Sequence, residues 1–167
     1  MKNAAKNKSA RTEKTFSGLM VSDRVELKDV CLITSKCNQT PKAHFGKKTY
    51  NIDYSAKVQT DKKNGYIIVI PGFHFEAFGK NENKEPVIVI DASFVLTYKI
   101  DNFHGLTQKG FEQFANLNGI YNAWPYWREF VQNTIARMGL PALSIPVFRI
   151  VKPSKGKNSK RKCRRKK

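Results

Sequence analysis

Apolar and polar residues alternate along the first hundred positions of the chain, and a helical period follows. Within residues 19–34, "LMVSDRVELKDVCLIT", Val25, Leu27, Cys31 and Ile33 fall on one face, which predicts a first strand. "TPKAHFGKK" reads as a loop or small excursion. Residues 49–59 alternate more cleanly: Tyr50, Ile52, Tyr54, Ala56 and Val58 against Asn51, Asp53, Ser55, Lys57 and Gln59. That is a strand with one dry and one wet face. Asn64-Gly65 then marks a hairpin turn into a third strand over 66–78, "YIIVIPGFHFEAF". Pro71-Gly72 lies in the middle of that strand and predicts a bulge or bend. "GKNENKEP" closes a second hairpin, and the fourth strand spans 87–100.

The fourth strand, "VIVIDASFVLTYKI", is apolar on both faces for much of its length. Such a strand needs cover on both sides. One helix covers one face only, so the pattern predicts a second copy of the chain whose sheet stacks on the other.

From Gly110 to Met138 the period lengthens. Ile120, Trp124, Trp127, Val131, Ile135 and Met138 recur at steps of three and four and form one helical stripe. Gly139 suits the position just after a helix, and Pro141 prevents continuation. Pro125 fits either the first turn of a new helix or a kink in a longer one that starts near Gly110. Tyr126 and Phe130 lie off the stripe, so the helix has more aromatic surface than one sheet face absorbs. Each buried ring covers ~150–250 Å². The surplus predicts a subunit contact or an exposed apolar groove.

The 167 residues suffice for one domain with a core. The formal charge of +18 is concentrated at the ends: residues 1–15 carry +4, residues 152–167 carry +10, and the middle carries +4. Both ends are too polar to bury a core, so the reading is a disordered basic arm (1–15), a folded domain (16–151) and a disordered basic tail (152–167). The charged N-terminus lacks the apolar stretch of a signal peptide, and no run is long enough to span a membrane. Cys31, Cys37 and Cys163 form no C-x-x-C pair and read as reduced thiols, which predicts a cytoplasmic protein.

Candidate chemistry is sparse. His74-Phe75-Glu76 has the His-x-Glu of zinc deaminases, but no Pro-Cys-x-x-Cys follows. His44 and His104 lie in loops, and Cys31 and Cys37 are too far apart for a usual zinc knuckle. Neither a Gly-rich phosphate loop, nor a nucleophile elbow, nor paired carboxylates at a readable spacing occurs. The reading is a protein without enzymatic activity, cofactor or metal. The tail, with Lys160, Arg161, Lys162, Arg164 and Arg165, suits weak, salt-dependent contact with nucleic acid. It has no interleaved aromatics for base stacking.

The helix region carries a resemblance. Trp124-Pro125-Tyr126, Arg128-Glu129 and Gly139-Leu140-Pro141 resemble the long helix and following loop of the SecB family of export chaperones. "LKDV" from Leu27 to Val30 and "PGFHF" in the third strand are similar to the family's upstream strands, and the likeness spans roughly residues 20–150. It implies an α+β fold with a four-stranded antiparallel sheet and one long C-terminal helix. It also implies a homotetramer built as a dimer of dimers, no enzymatic activity, and apolar grooves that hold non-native, extended polypeptides. Relatives serve protein export through the SecA motor, and some protect antitoxins. The residues the reading assigns to a client groove are Phe73, Phe75, Phe78, Trp124, Tyr126 and Trp127, with Phe130, Leu140 and Leu143.

Three departures qualify that inference. The family's second, groove-flanking helix is missing after Phe148-Arg149-Ile150. Asp29 matches one acidic motor-docking position, but Ile33 and Val69 or Ile70 fall where the family has others, which argues against SecA docking by that route. The charge is opposite in sign to that of many members. The competing reading is a basic-tailed adaptor for nucleic acid or ribosomes on the same scaffold.

Overall fold

The computed structural model describes residues 18–79 and 85–149. The basic arm and tail assigned from sequence therefore lie outside the described residues. Four strands form a single antiparallel sheet: β1 (Val25–Gln39), β2 (Lys48–Asp61), β3 (Tyr66–Gly79) and β4 (Ile88–Ile100). Their spatial order is β1-β4-β3-β2. β2, β3 and β4 form a meander and β1 returns to pair with β4, which is a Greek-key arrangement. The excursion between the two edge strands contains a short 3-10 turn at Pro41–His44.

The β2–β3 hairpin forms as the Asn-Gly signal predicts, through a four-residue loop. Asp61 accepts from the Asn64 backbone and side-chain amides at 3.1 and 2.7 Å, and Gly65 takes the left-handed conformation at φ 72°. The alternation in β2 also holds: Ile52, Tyr54, Ala56 and Val58 lie opposite Phe75, Phe73, Pro71 and Val69 on the inner face.

Two sequence expectations are corrected in the strands, the face of Cys31 and the bulge at Pro71. Residues 18–22 are helical, and β1 starts at Val25, where the alternation begins. Register shifts between Leu27 and Asp29 and between Leu32 and Thr34 each insert an extra residue, Lys28 and Ile33. The inner face of β1 therefore carries Val25, Leu27, Val30 and Leu32, and Cys31 moves to the outer face opposite Val95. At Pro71 the expected bulge does not occur. The register of β3 against β4 is the same on both sides, but pairing lapses at Ile70 and Pro71, while the β2 ladder runs through unbroken. A missing amide donor costs the strand one local pairing, not its alignment.

Behind the inner face runs a helix of three parts: α1 (Gln108–Phe114), a π turn (Ala115–Gly119) and α2 (Ile120–Arg137). Thr107 caps its start, accepting from the Gly110 amide at 3.2 Å. Pro125 is inside α2, one of the two placements its chemistry allows. At the C-terminus Gly139 (φ 71°) donates to Ala136 O and Leu140 donates to Ile135 O, the paired bonds of a Schellman motif.

The core lies between this helix and the inner faces of β3 and β4. Ile67, Val69, Ile90, Leu96, Ile120, Trp127 and Val131 are fully enclosed. Contact along the helix is close: a Cβ on Gly119 would stand 2.6 Å from Val69 Cγ1. Tyr98 is buried, and its hydroxyl accepts from Asn122 Nδ2 at 3.0 Å. Burial pushes the Tyr98 phenol up to about 12. The outer face has no second layer among the described residues. Ile68, Ile70 and Val95 are only half-buried there. On the inner face of edge strand β1, Leu27 and Leu32 are exposed, as is the inserted Ile33.

Candidate apolar groove

The chain leaves α2 at Gly139 and runs back along the helix, without regular secondary structure, to Arg149. Two helix side chains pin this return segment by its carbonyls. Arg128 Nε donates to Ile145 O at 2.6 Å, and Trp124 Nε1 donates to Pro146 O at 2.8 Å. These bonds satisfy two side chains whose charge or indole N–H is costly to bury unpaired. Ile145 is buried beneath the segment, and Phe148 packs on Trp124 and Tyr54 with ring centroids 5.1 and 5.6 Å apart.

Between Gly139 and Ile145 the segment stands off the sheet and leaves a groove of about 270 Å³. Phe75, Ala77, Ile88 and Ile135, all nearly enclosed, form its floor. Tyr50 on edge strand β2, stacked on Phe75 at 5.6 Å, forms one wall. Leu140, Pro141, Ala142 and Leu143 form the other, and Gly46 and Lys48 stand at the mouth. Tyr50 is accessible because an edge strand has a neighbour on one side only. A site with this lining takes apolar side chains by non-directional burial.

The residues assigned from sequence are distributed as follows. Phe75, Leu140 and Leu143 come together in the groove. Phe73 and Trp127 stack at 5.1 Å and 9° in the interior, with Trp124 beside Phe73 at 5.8 Å. Phe130 continues that stack on Trp127 at 6.2 Å. Tyr126 is solvent-exposed on α2, and Phe78 is half-buried on the outer face opposite Thr49. Asp29 is exposed on the outer face of β1, where its carboxylate meets the Val30 amide and the Cys31 thiol. Lys160, Arg161, Lys162, Arg164 and Arg165 lie outside the described residues. Tyr50, Lys48, Ile88 and Ile135 were missed as groove residues. A ring on the dry face of a strand was the available signal, but it gains meaning only once β2 is known to be an edge.

A second, more open trough of about 420 Å³ crosses the outer face over Ser55, Gly72 and Ser93. Its lining is polar. His74 dominates it, with Nδ1 2.6 Å from Asp91 and Nε2 3.2 Å from Glu76. The Asp91 hydrogen bond, reinforced by Glu76, holds the imidazole above its ordinary value of 6.5. Among the described residues no cluster of three or more His, Cys, Asp or Glu is placed to hold a metal. No helix among them is long and apolar enough to cross a membrane.

No family model and no curated protein sequence matches the chain. Solved structures do. The SecB-like chaperone Rv1957 of Mycobacterium tuberculosis, in complex with a ChAD peptide from the Rv1956 HigA1 antitoxin, superposes with a TM-score of 0.73 at 19% identity, over 83% of this chain and 99% of that one. A protein of unknown function from Streptococcus agalactiae matches at a TM-score of 0.37 and 9% identity, over 73% and 96%. The first likeness covers most of the chain and shows that it has a SecB-like fold.

Proposed function

We propose that the protein is a holdase chaperone that binds non-native, extended polypeptides in the groove between Tyr50, Phe75 and the Leu140–Leu143 segment. That groove carries the reading. The SecB-like fold supports it, as does the neighbour of that fold, described as a chaperone bound to an antitoxin peptide. The activity needs no bond chemistry, cofactor or metal, and we place it in the cytoplasm. Antitoxin protection is favoured over motor-driven export, because Asp29 lacks the acidic companions that family docking uses.

Magnitudes argue for an assembly. A client segment that buries ~120 Å² of apolar surface in one groove gains about 3 kcal/mol. The cost of association consumes much of that, which leaves millimolar affinity or weaker. Useful holding therefore requires several grooves on one particle, engaged by one long client. The half-buried Ile68, Ile70 and Val95 of the outer face and, on the other side of the sheet, the exposed Leu27 and Leu32 of edge strand β1 suit two kinds of contact between copies, and we propose a dimer of dimers.

The test is suppression of aggregation of a chemically unfolded substrate. Wild type suppresses it; the double variant Tyr50→Ser, Leu143→Asp loses at least half of the effect while keeping its thermal transition. No suppression by wild type removes the chaperone reading. The second reading, a basic-tailed adaptor, has the tail's +10 charge in its favour. It requires salt-sensitive retention on RNA or DNA that vanishes when residues 152–167 are deleted.

A further inference from the structure

The groove is apolar with one exception. Lys48 is the only charged residue among the described residues that line it. Its ammonium donates to the carbonyls of Phe45 at 3.3 Å and Gly46 at 3.2 Å. These two bonds hold the group at the mouth without neutralising it, because carbonyl oxygens carry no full negative charge. Lysine has three donors, so one stays available. No carboxylate pairs with Lys48 among the described residues.

The surroundings reinforce the sign. From Thr40 to Asn51 the chain contains Lys42, His44, Lys47 and Lys48 and no acid. The sheet carboxylates nearest in register, Asp53, Glu76 and Asp91, share a row or neighbouring position with His74 on the opposite face. A low-dielectric groove with a cation at its entrance favours an anion over water there more than an exposed lysine does.

We propose that Lys48 makes this groove selective for extended peptide segments in which an apolar anchor is followed or preceded within two residues by Asp or Glu. The proposal rests on the holdase reading and specifies its client. The anchor occupies the space over Phe75 and Ile135, and the carboxylate meets the Lys48 ammonium. In an extended chain, side chains two apart lie on one side, separated by roughly 7 Å. That spacing lets one peptide reach the groove floor and its mouth together. Segments that carry Lys or Arg beside the anchor are disfavoured by the same charge.

The experiment uses the full chain and two fluorescent twelve-residue peptides that differ only in Glu or Gln, two positions from a central Leu. Anisotropy titrations run at low and high salt. In wild type the Glu peptide binds about five-fold tighter, a ratio typical of a single partly exposed pair, and the ratio shrinks with salt. Lys48→Gln brings the ratio to about one; Lys48→Arg retains the preference. The basic tail is present throughout, so a preference that survives Lys48→Gln assigns the selectivity to the tail and overturns the proposal. A wild-type ratio of one or below overturns it too, while binding of both peptides leaves the holdase reading standing. If neither peptide binds and unfolded substrate is not held, both readings fall. A Gln-peptide affinity that collapses in Lys48→Gln makes Lys48 a brace for the Phe45–Gly46 loop, and the charge selectivity is then rejected.

Discussion

At Gly119 the helix backbone lies close against Val69 of the sheet, and replacing the glycine with alanine tests the packing directly. The backbone there is helical, at φ −60° and ψ −48°, so alanine meets no conformational penalty. On propensity alone the change gains up to about 1 kcal/mol. The new methyl, however, would stand 2.6 Å from Val69 Cγ1 and 3.6 Å from its Cβ. Val69 is fully enclosed in β3 and β-branched, so it has no alternative rotamer to retreat into. Overpacking of this kind costs about 1–3 kcal/mol. The net expectation is a loss of roughly 1–2 kcal/mol, or several degrees of Tm in a domain of this size. Val69→Ala alone costs about 2 kcal/mol through the cavity it opens. Together the two changes cost less than their sum by at least about 1 kcal/mol, because the alanine methyl enters the vacated space. Urea unfolding followed by tryptophan fluorescence, at one fixed protein concentration, reads all four proteins. If Gly119→Ala stabilises the protein, or the two effects simply add, the helix does not touch the sheet at this point and the packing argument fails.

Other contacts give equally direct tests. His74 has a folded-state pKa above its ordinary value, with Asp91 as the main cause and Glu76 second. Its ion-pair contribution is therefore fully present below about pH 6.5 and is lost as pH rises through the higher folded value. The stability difference between wild type and His74→Gln should shrink from pH 5.5 to pH 8.5; a difference that grows with pH contradicts the geometry. Arg128→Met removes the 2.6 Å bond to Ile145 O. A charge-assisted bond of this type contributes about 1.5–3 kcal/mol. The return segment should become more open to limited proteolysis at 142–148 in the variant, with the sheet resistant, and client binding should weaken as the groove wall loosens. Equal cleavage rates would mean that the return segment is held by other contacts.

Most of the secondary structure is legible from local chemistry. Period-two alternation places β2, β3 and β4 to within a residue or two, since side-chain direction in a strand depends only on position along it. Asn64-Gly65 identifies a hairpin because few sequences tolerate the left-handed turn that Gly65 adopts. Gly139 and Pro141 mark the helix end for the same kind of reason: the Schellman geometry needs a residue without a Cβ at positive φ. The ring stripe of α2 is legible too, with Trp124 and Trp127 on it and buried, and Tyr126 off it and exposed.

Tertiary structure decided the rest, because it depends on neighbours distant in the chain. The residue inserted at Lys28 in β1 reversed the face of Cys31, and no local pattern distinguishes a bulge from ordinary alternation. Trp124, Trp127 and Phe73, the most conspicuous rings in the sequence, stack in the interior. The groove instead uses Tyr50, Ile88 and Leu143, drawn from two strands and the return segment. What exposes Tyr50 is the position of β2 at the sheet edge, and what shapes the opposite wall is the bond from Arg128 to Ile145. Sequence determines which side chains seek burial; only the strand order and the path after Gly139 determine which of them are left partly open.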